Sequence, residues 1–392
     1  MEAIRKMVRR VRYAHILALS AIFFSSFGLA QENKGIGLEI LSAPETVISW
    51  AKDKCEDIDI PDTGLRAYRR YDSKIIGIAS HYVNRSLIGS RADRFQKNGC
   101  DVLFKSSHSA DPKLFDDETW LASTWTDDGK NIAAIGHSEF HGEKHPGMCN
   151  GKTPRECRYV TLTLFASNDG GLKFQRSDLR PIAAAPVRQS IDQGKDLGVQ
   201  QPSNIFQHEG MKYVFVRAIG GGAQSPATCL MRAKTPLDPN SWEVFDGKEF
   251  RRSMFDPYRD RIETATTCAQ ISLLNGMVWS VVRHRSRGLF IALLTVIDPS
   301  TKGLRLATAT STDLLNWTKP SPVDGIDIQK TQTCSNDPIY IYPSLIDPDS
   351  PDRNFDTTGD EAVLFLTAVH RTNCKMSLDR DLVSVRVRFV PK

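Results

Sequence analysis

The chain has 392 residues, 40% of them hydrophobic and 25% charged, with a formal net charge of +5. That length accommodates one large domain or two small ones. Arg5, Lys6, Arg9, Arg10 and Arg12 near the start are offset only by Glu2, so the remainder carries about +1, which excludes a generally basic nucleic-acid-binding or membrane-surface protein.

In chain order, the basic head is followed by an uncharged apolar run from Ile16 to Ala30 that ends in the small residues Gly28-Leu29-Ala30. This pattern predicts a leader, residues 1–30, cleaved after Ala30. The run is shorter than the roughly 20 residues needed to cross a bilayer. The expectation is therefore a secreted or periplasmic protein, residues 31–392, with no stable membrane insertion. All eight cysteines survive cleavage. In an exported chain they predict disulfides, with Cys149–Cys157 across a Gly/Pro-containing loop the pair the sequence favours. No CxxC spacing occurs, so zinc is not expected.

Five strand–turn–strand units follow the leader. They are Ala67–His81, Trp120–His141, Ser203–Arg217, Cys268–His284 and Tyr342–Arg371, turning at Tyr71-Asp72-Ser73, Asp127-Asp128-Gly129, His208-Glu209-Gly210, Asn275-Gly276 and an insertion from Asp347 to Asp360. Each return strand ends in histidine or arginine. A unit too small to bury its own face must stack on its copies. Radial stacking of four-stranded units gives an all-β, five-bladed β-propeller. Three further segments, Ser167–Phe174, Arg232–Trp242 and Ser311–Trp317, share a polar strand end, an Asp/Gly/Pro turn and a closing aromatic. They predict structural turns whose aromatic is buried between blades. The last segment alternates Val383, Val385, Val387 and Phe389 with Ser384, Arg386 and Arg388, a half-buried strand expected to complete the first blade and close the ring.

Ser311-Thr312-Asp313-Leu314-Leu315-Asn316-Trp317 resembles the S-x-D-L-x-x-W turn of the five-bladed propeller glycosidases, the arabinanase- and fructosidase-like enzymes. Ser167–Phe174 resembles the Asp-box of sialidases. Ala79–Arg85, His137–Gly142 and Tyr342–Pro351 resemble a group of uncharacterised exported bacterial proteins. The glycosidase resemblance implies three carboxylates near the propeller axis: an Asp base or nucleophile, a second Asp that tunes it and a Glu acid. Pro202-Ser203-Asn204 and Cys268-Ala269-Gln270 put neutral residues at the start of the third and fourth hairpins, where that pattern leads one to expect an acid.

The most distinctive local signal is His137-Ser138-Glu139-Phe140-His141. Alternate residues of a strand share a face, so His137, Glu139 and His141 point the same way. Burial near the funnel is expected to raise the Glu139 pKa towards that of a general acid. A metal site and a hydrogen-bonded structural patch are rival readings, though His137 and His141 lie about 13 Å apart along an extended strand. Asp62, before the first hairpin, is the candidate base or nucleophile, and Asp117, before the second, the tuning carboxylate. His81, Asn84, Arg85, Arg217, Arg283, His284, His370 and Arg371, at strand ends, form with His137, His141 and Asn204 the candidate substrate-binding set. Aligned arginines suit carboxylate or sulfate groups. Trp120, Trp125 or Tyr342 offers a flat face to a sugar.

The resulting expectation is an exported glycoside hydrolase-like protein acting on a saccharide, acidic in one version, without cofactor, metal or nucleic-acid partner. Two alternatives stand beside it: a non-catalytic carbohydrate-binding propeller, and a polysaccharide lyase using His and Arg.

Overall fold

A computed structural model describes residues 35–326, 328 and 336–392; the expected leader and Cys334 lie outside the described residues. Among them, the only α-helix is the short Trp50–Asp53 segment, and strands dominate. No described helix is long and apolar enough to cross a membrane. The fold is all-β.

The first unit is a four-stranded antiparallel sheet of Arg66–Arg69, Ile75–Ile78, Leu87–Arg91 and Arg94–Lys97. Glu118–Trp125, Ile132–His141, Arg158–Ser167 and Gln175–Arg176 make the second. Phe206–His208, Met211–Gly220, Ala227–Ala233, Trp242–Phe245 and Phe250–Arg252 make the third. These two join into one ten-stranded sheet where Tyr159 and Val160 pair in parallel with Leu197 and Gly198. Gly198 has φ +119°, and a Cβ there would lie 2.0 Å from the Val160 carbonyl oxygen, so only glycine permits this approach. The fourth unit is Met277–His284, Phe290–Ile297, Leu304–Ser311 and Ser321–Pro322. The fifth is Ile339–Ile346, Glu361–Thr372, Lys375–Pro391 and the N-terminal strand Ile36–Ile40.

Five apolar cores each lie between two units. Tyr68, Ile76 and Ile78 meet Leu121, Ile132 and Phe165. Ile135 and Leu164 meet Val214, Val216 and Met231. Phe206 and Phe215 meet Val281, Phe290 and Leu294. Ile291 and Leu293 meet Leu364, Leu366 and Val385. Leu65, Ala67 and Ile75 then meet Ile346, Val363 and Phe365, so the last unit packs on the first. The closing aromatics of the outer turns enter these cores: Phe174, Trp242 and Trp317 are all buried.

At the meeting point of all five units lies Arg66, 4% exposed. Its guanidinium donates to the carbonyl oxygens of Leu65 (3.4 Å), Ala122 (3.0 Å), Pro202 (3.2 Å) and Trp279 (2.9 Å) and to Ser344 Oγ (3.1 Å). A planar group with five fixed donors satisfies five converging acceptors where lysine offers three. Burial without a carboxylate pulls its pKa down to about 9, and it remains charged at neutral pH.

Two expectations are corrected. Asn275-Gly276 reads as a hairpin turn, which would make Met277–His284 a returning strand. Instead this strand opens the fourth unit and turns into Phe290–Ile297 beyond His284. Gly276 serves as a link between units, its carbonyl accepting the Thr228 hydroxyl at 2.5 Å. The C-terminal strand belongs to the fifth unit, paired on one side with Glu361–Thr372 and on the other with Ile36–Ile40. Asn373 and Cys374, both at positive φ, turn the chain straight back on its predecessor, and a strand pairs most readily with its neighbour in sequence. Its alternation holds: Val383, Val385, Val387 and Phe389 are buried and Arg386 and Arg388 exposed. Cys149 and Cys157 are bonded as expected; two pairs the sequence left open, Cys55–Cys100 and Cys229–Cys268, are bonded as well.

Candidate functional site

Asp62 lies in the loop that enters the first inner strand, held by its N–H to the Ala79 carbonyl at 3.1 Å. Its Oδ2 accepts from Trp120 Nε1 at 3.1 Å and lies 3.4 Å from His81 Nε2; its Oδ1 pairs with Arg380. The Tyr342 hydroxyl lies near the same carboxyl and favours its anion. Burial pushes Asp62 up, and the nearby Glu139 charge adds to that. Arg380, Trp120 and Tyr342 oppose the rise without cancelling it, so the pKa is raised. His81 is driven down to about 3 by burial and the Arg380 and Lys144 charges. Its contact with Asp62 is therefore that of a neutral imidazole. Tyr342 sits at φ +54°, where the pairing register with Glu361–Thr372 shifts between Ile341 and Ser344. A bulky residue held there is strained, and such strain is found where a side chain must be aimed. Burial raises its phenol well above the ordinary value, so it is a proton donor.

Strand alternation brings His137, Glu139 and His141 together as expected. The Gln201 N–H donates to His137 Nδ1 at 3.1 Å, which places the imidazole proton on Nε2, and that nitrogen donates to Glu139 Oε1 at 2.7 Å. Both nitrogens are thus engaged, which leaves the metal reading without its first ligand. Arg158, on the adjacent strand, adds a contact to Oε1 at 2.8 Å. His141 Nε2 lies 2.9 Å from Glu139 Oε2 and 3.3 Å from Glu118 Oε2, a charge contact shared by two carboxylates and aligned with neither. Burial pushes the Glu139 carboxyl up, but the His137 hydrogen bond, the close His141 contact and the Arg158 charge outweigh it and hold it well below its ordinary value. The expectation of a raised, acidic Glu139 is therefore corrected. Burial lowers His141, and its contact with Glu139 more than reverses this.

Asp117 is also reassigned. One oxygen accepts the His141 backbone N–H at 2.8 Å and the other meets His145 Nε2 at 3.0 Å. It braces the loop after the strand, and nothing leaves it open to a ligand. Asn84 accepts the Leu121 N–H at 2.7 Å and donates to the Thr119 carbonyl at 2.9 Å, joining the first unit to the second. Asn204 does the same with Val281, at 2.7 and 2.8 Å, joining third to fourth. Arg85 is spent on Asp59 and Glu56. Arg283 and His284 lie at the far end of their strand, pairing with Thr357 and Thr358, a consequence of the displaced hairpin. His370 pairs with Asp381 at 3.0 Å, and Arg371 donates to the Asp337 carbonyl at 2.9 Å. None of these seven lines the cavity described next.

That cavity, about 540 Å³, opens where the strands of the second to fifth units begin or end; Arg158, Gln200, Gln201, Arg217, Trp279 and Tyr342 are among its walls. Asp62 and Glu139 are not among its walls; they reach it through neighbours that are, Asp62 through Tyr342 and Glu139 through Arg158. The structure brings together Asp62, Glu139, His81, His137 and His141, all singled out in the sequence, and adds Arg158, Arg380 and the polar use of Tyr342, which the sequence reading missed. The Tyr342-Pro343 step, which interrupts an otherwise regular strand, was the available signal for the last.

No family model matches the chain, and no curated protein does. Among solved structures, an endo-1,4-β-xylanase from Bacteroides thetaiotaomicron is similar over 85% of this chain and 96% of its own, at 10% identity and a TM-score of 0.47. An α-L-arabinanase from Cellvibrio cellulosa is similar over 84% and 92%, at 10% and 0.45. A protein of unknown function from Dyadobacter fermentans is similar over 90% and 100%, at 9% and 0.45. Likeness at this level identifies no activity.

Proposed function

We propose that the five units are blades of one β-propeller, that residues 31–392 are exported as one domain, and that the protein is a glycoside hydrolase-like enzyme acting on a saccharide held in the cavity. The observation that carries this is a pair of carboxyls beside the cavity, the half-buried Asp62 held by Trp120, His81 and Arg380 and the buried Glu139 held by His137 and Arg158, whose surroundings drive them in opposite directions, Asp62 up and Glu139 down. Paired groups pushed apart in this way mark an acid and an anion. The roles are the reverse of those read from sequence. Asp62 is the acid, and its proton passes to the Tyr342 oxygen as the Tyr342 proton passes to the departing glycosidic oxygen. Glu139 remains a carboxylate, whose charge favours the positive character that develops on the sugar ring. Water then attacks the anomeric carbon, its oxygen forming the new C–O bond as the glycosidic bond breaks, and the proton it releases returns through Tyr342 to the Asp62 carboxylate, which restores the acid.

A second reading, a binding propeller without turnover, is supported by the engagement of each carboxylate beside the cavity: Asp62 by Arg380, and Glu139 and Asp196 by Arg158. A glycan panel with the mature protein, scored for binding and for product, separates the two. The hydrolase reading expects reducing ends that Asp62→Asn and Tyr342→Phe abolish while binding persists. Binding with no product from the wild type supports the second reading, and unsaturated products absorbing in the ultraviolet support a lyase.

A further inference from the structure

The cavity wall holds three guanidinium groups and one carboxylate: Arg155, Arg158, Arg217 and Asp196. Arg158 and Asp196 neutralise each other, Nε donating to Oδ1 at 3.0 Å and Nη2 to Oδ2, and Glu139 takes what remains of the Arg158 charge. The other two arginines have no such partner among the described residues. Arg217, half-buried at the end of Met211–Gly220, makes one side-chain hydrogen bond, from Nη1 to Thr228 Oγ1 at 3.2 Å. Thr228 is itself fixed, its hydroxyl donating to the Gly276 carbonyl at 2.5 Å, so the guanidinium is held in one place. Burial lowers the Arg217 pKa with no compensating anion. Arg155, in the 3-10 turn Pro154–Cys157, is anchored by the Cys149–Cys157 disulfide. Arg155 is exposed, but the Arg217 charge is kept partly out of water without a counter-ion, which is unfavourable unless a ligand supplies one.

Resting on the saccharide reading above, we infer that Arg217, with Arg155 also on the cavity wall, forms a subsite for the carboxylate of a uronic acid residue. A guanidinium presents two parallel donors, and a planar carboxylate accepts both. The wall beside it is apolar and aromatic, with Trp279 and Tyr342 in edge contact at 5.6 Å between ring centres. Such a wall suits the C–H face of a sugar ring, while the carboxylate turns to the arginine.

The test is calorimetric binding of tri-galacturonate, its carboxyl-reduced neutral counterpart and a sulfated disaccharide to the mature protein. Tri-galacturonate should bind at least about tenfold more tightly than the neutral form, an advantage that Arg217→Met removes. Arg217→Lys should restore the charge but only part of the affinity, since a point charge lacks the bidentate geometry. Unchanged thermal melting of both variants shows that the fold is intact. Equal binding of acidic and neutral forms, no binding of either, or indifference to Arg217→Met overturns the subsite. Stronger binding of the sulfated sugar than of the uronate overturns the carboxylate assignment. Because binding is read apart from turnover, Arg217-dependent uronate binding without product would leave the subsite standing and remove hydrolysis. Cleavage of neutral glycans alone would do the converse.

Discussion

Glu139 shows how far a residue's chemistry depends on what surrounds it. Its pKa is held down by donors on its own strand and on the next, and the same contact raises His141. A group with a raised folded pKa stabilises below its unfolded value and loses that contribution as pH rises through the folded one; a lowered carboxylate loses its contribution as pH falls. The pair should therefore stabilise the fold most between about pH 4.5 and 6.5. Melting temperature against pH should show an alkaline decline beginning above that window, which His141→Gln flattens. In an NMR titration, His141 should ionise above 6.5 in the wild type and fall back in Glu139→Gln. That substitution takes one of two carboxylates from Arg158, which keeps Asp196, and one from His141, which keeps Glu118, and should cost about 1–3 kcal/mol in denaturant unfolding. Were the loss under 1 kcal/mol, roughly the worth of an exposed pair, the buried network would be wrong. The alternating His-Ser-Glu-Phe-His pattern made the cluster legible. The sign of the shift was not, because Arg158 reaches Glu139 from a separate strand.

At the scale of the element, the neutral residues at hairpin starts acquire a reason. Asn204 and Asn84 each accept an N–H and donate to a carbonyl of the next unit. An aspartate can accept but cannot donate, so its second oxygen would face a carbonyl oxygen. Asn204→Asp should therefore destabilise by about 1–3 kcal/mol, more at pH 7 than at pH 4, where the protonated acid can donate. Gln270 is used in part likewise, accepting the Thr228 N–H at 2.9 Å across units while its amide donates to the Ile271 and Leu274 carbonyls of its own segment. The displaced fourth hairpin belongs at this scale too. Asn-Gly is a strong turn signal, and here the inter-unit bond from Thr228 to Gly276 overrides it.

For the whole molecule, two contacts join the early part of the chain to its end. The fifth core packs the last unit on the first, and Ile36–Ile40 pairs along Val387–Pro391. Deleting residues 35–41 should expose the edge of Lys375–Pro391, lower the melting temperature and promote association, measured by light scattering. Arg66→Met should be more damaging than an ordinary core substitution, since four carbonyls and a hydroxyl lose their shared donor at once. A loss of at least about 3 kcal/mol is expected, with no effect of salt because the site is dry.

The sequence alone was enough for what depends on near neighbours. The two-residue period fixed which face of each strand is buried; the Asp/Gly turns with their closing aromatics fixed the outer strands; and a short loop fixed Cys149–Cys157. Tertiary structure decided the rest, because the partners that set charge and role are remote in the chain. Arg380 reaches Asp62 across 318 residues and Ser344 reaches Arg66 across 278. A local pattern constrains the direction in which a side chain points, while its protonation is set by whichever distant group the fold brings to meet it.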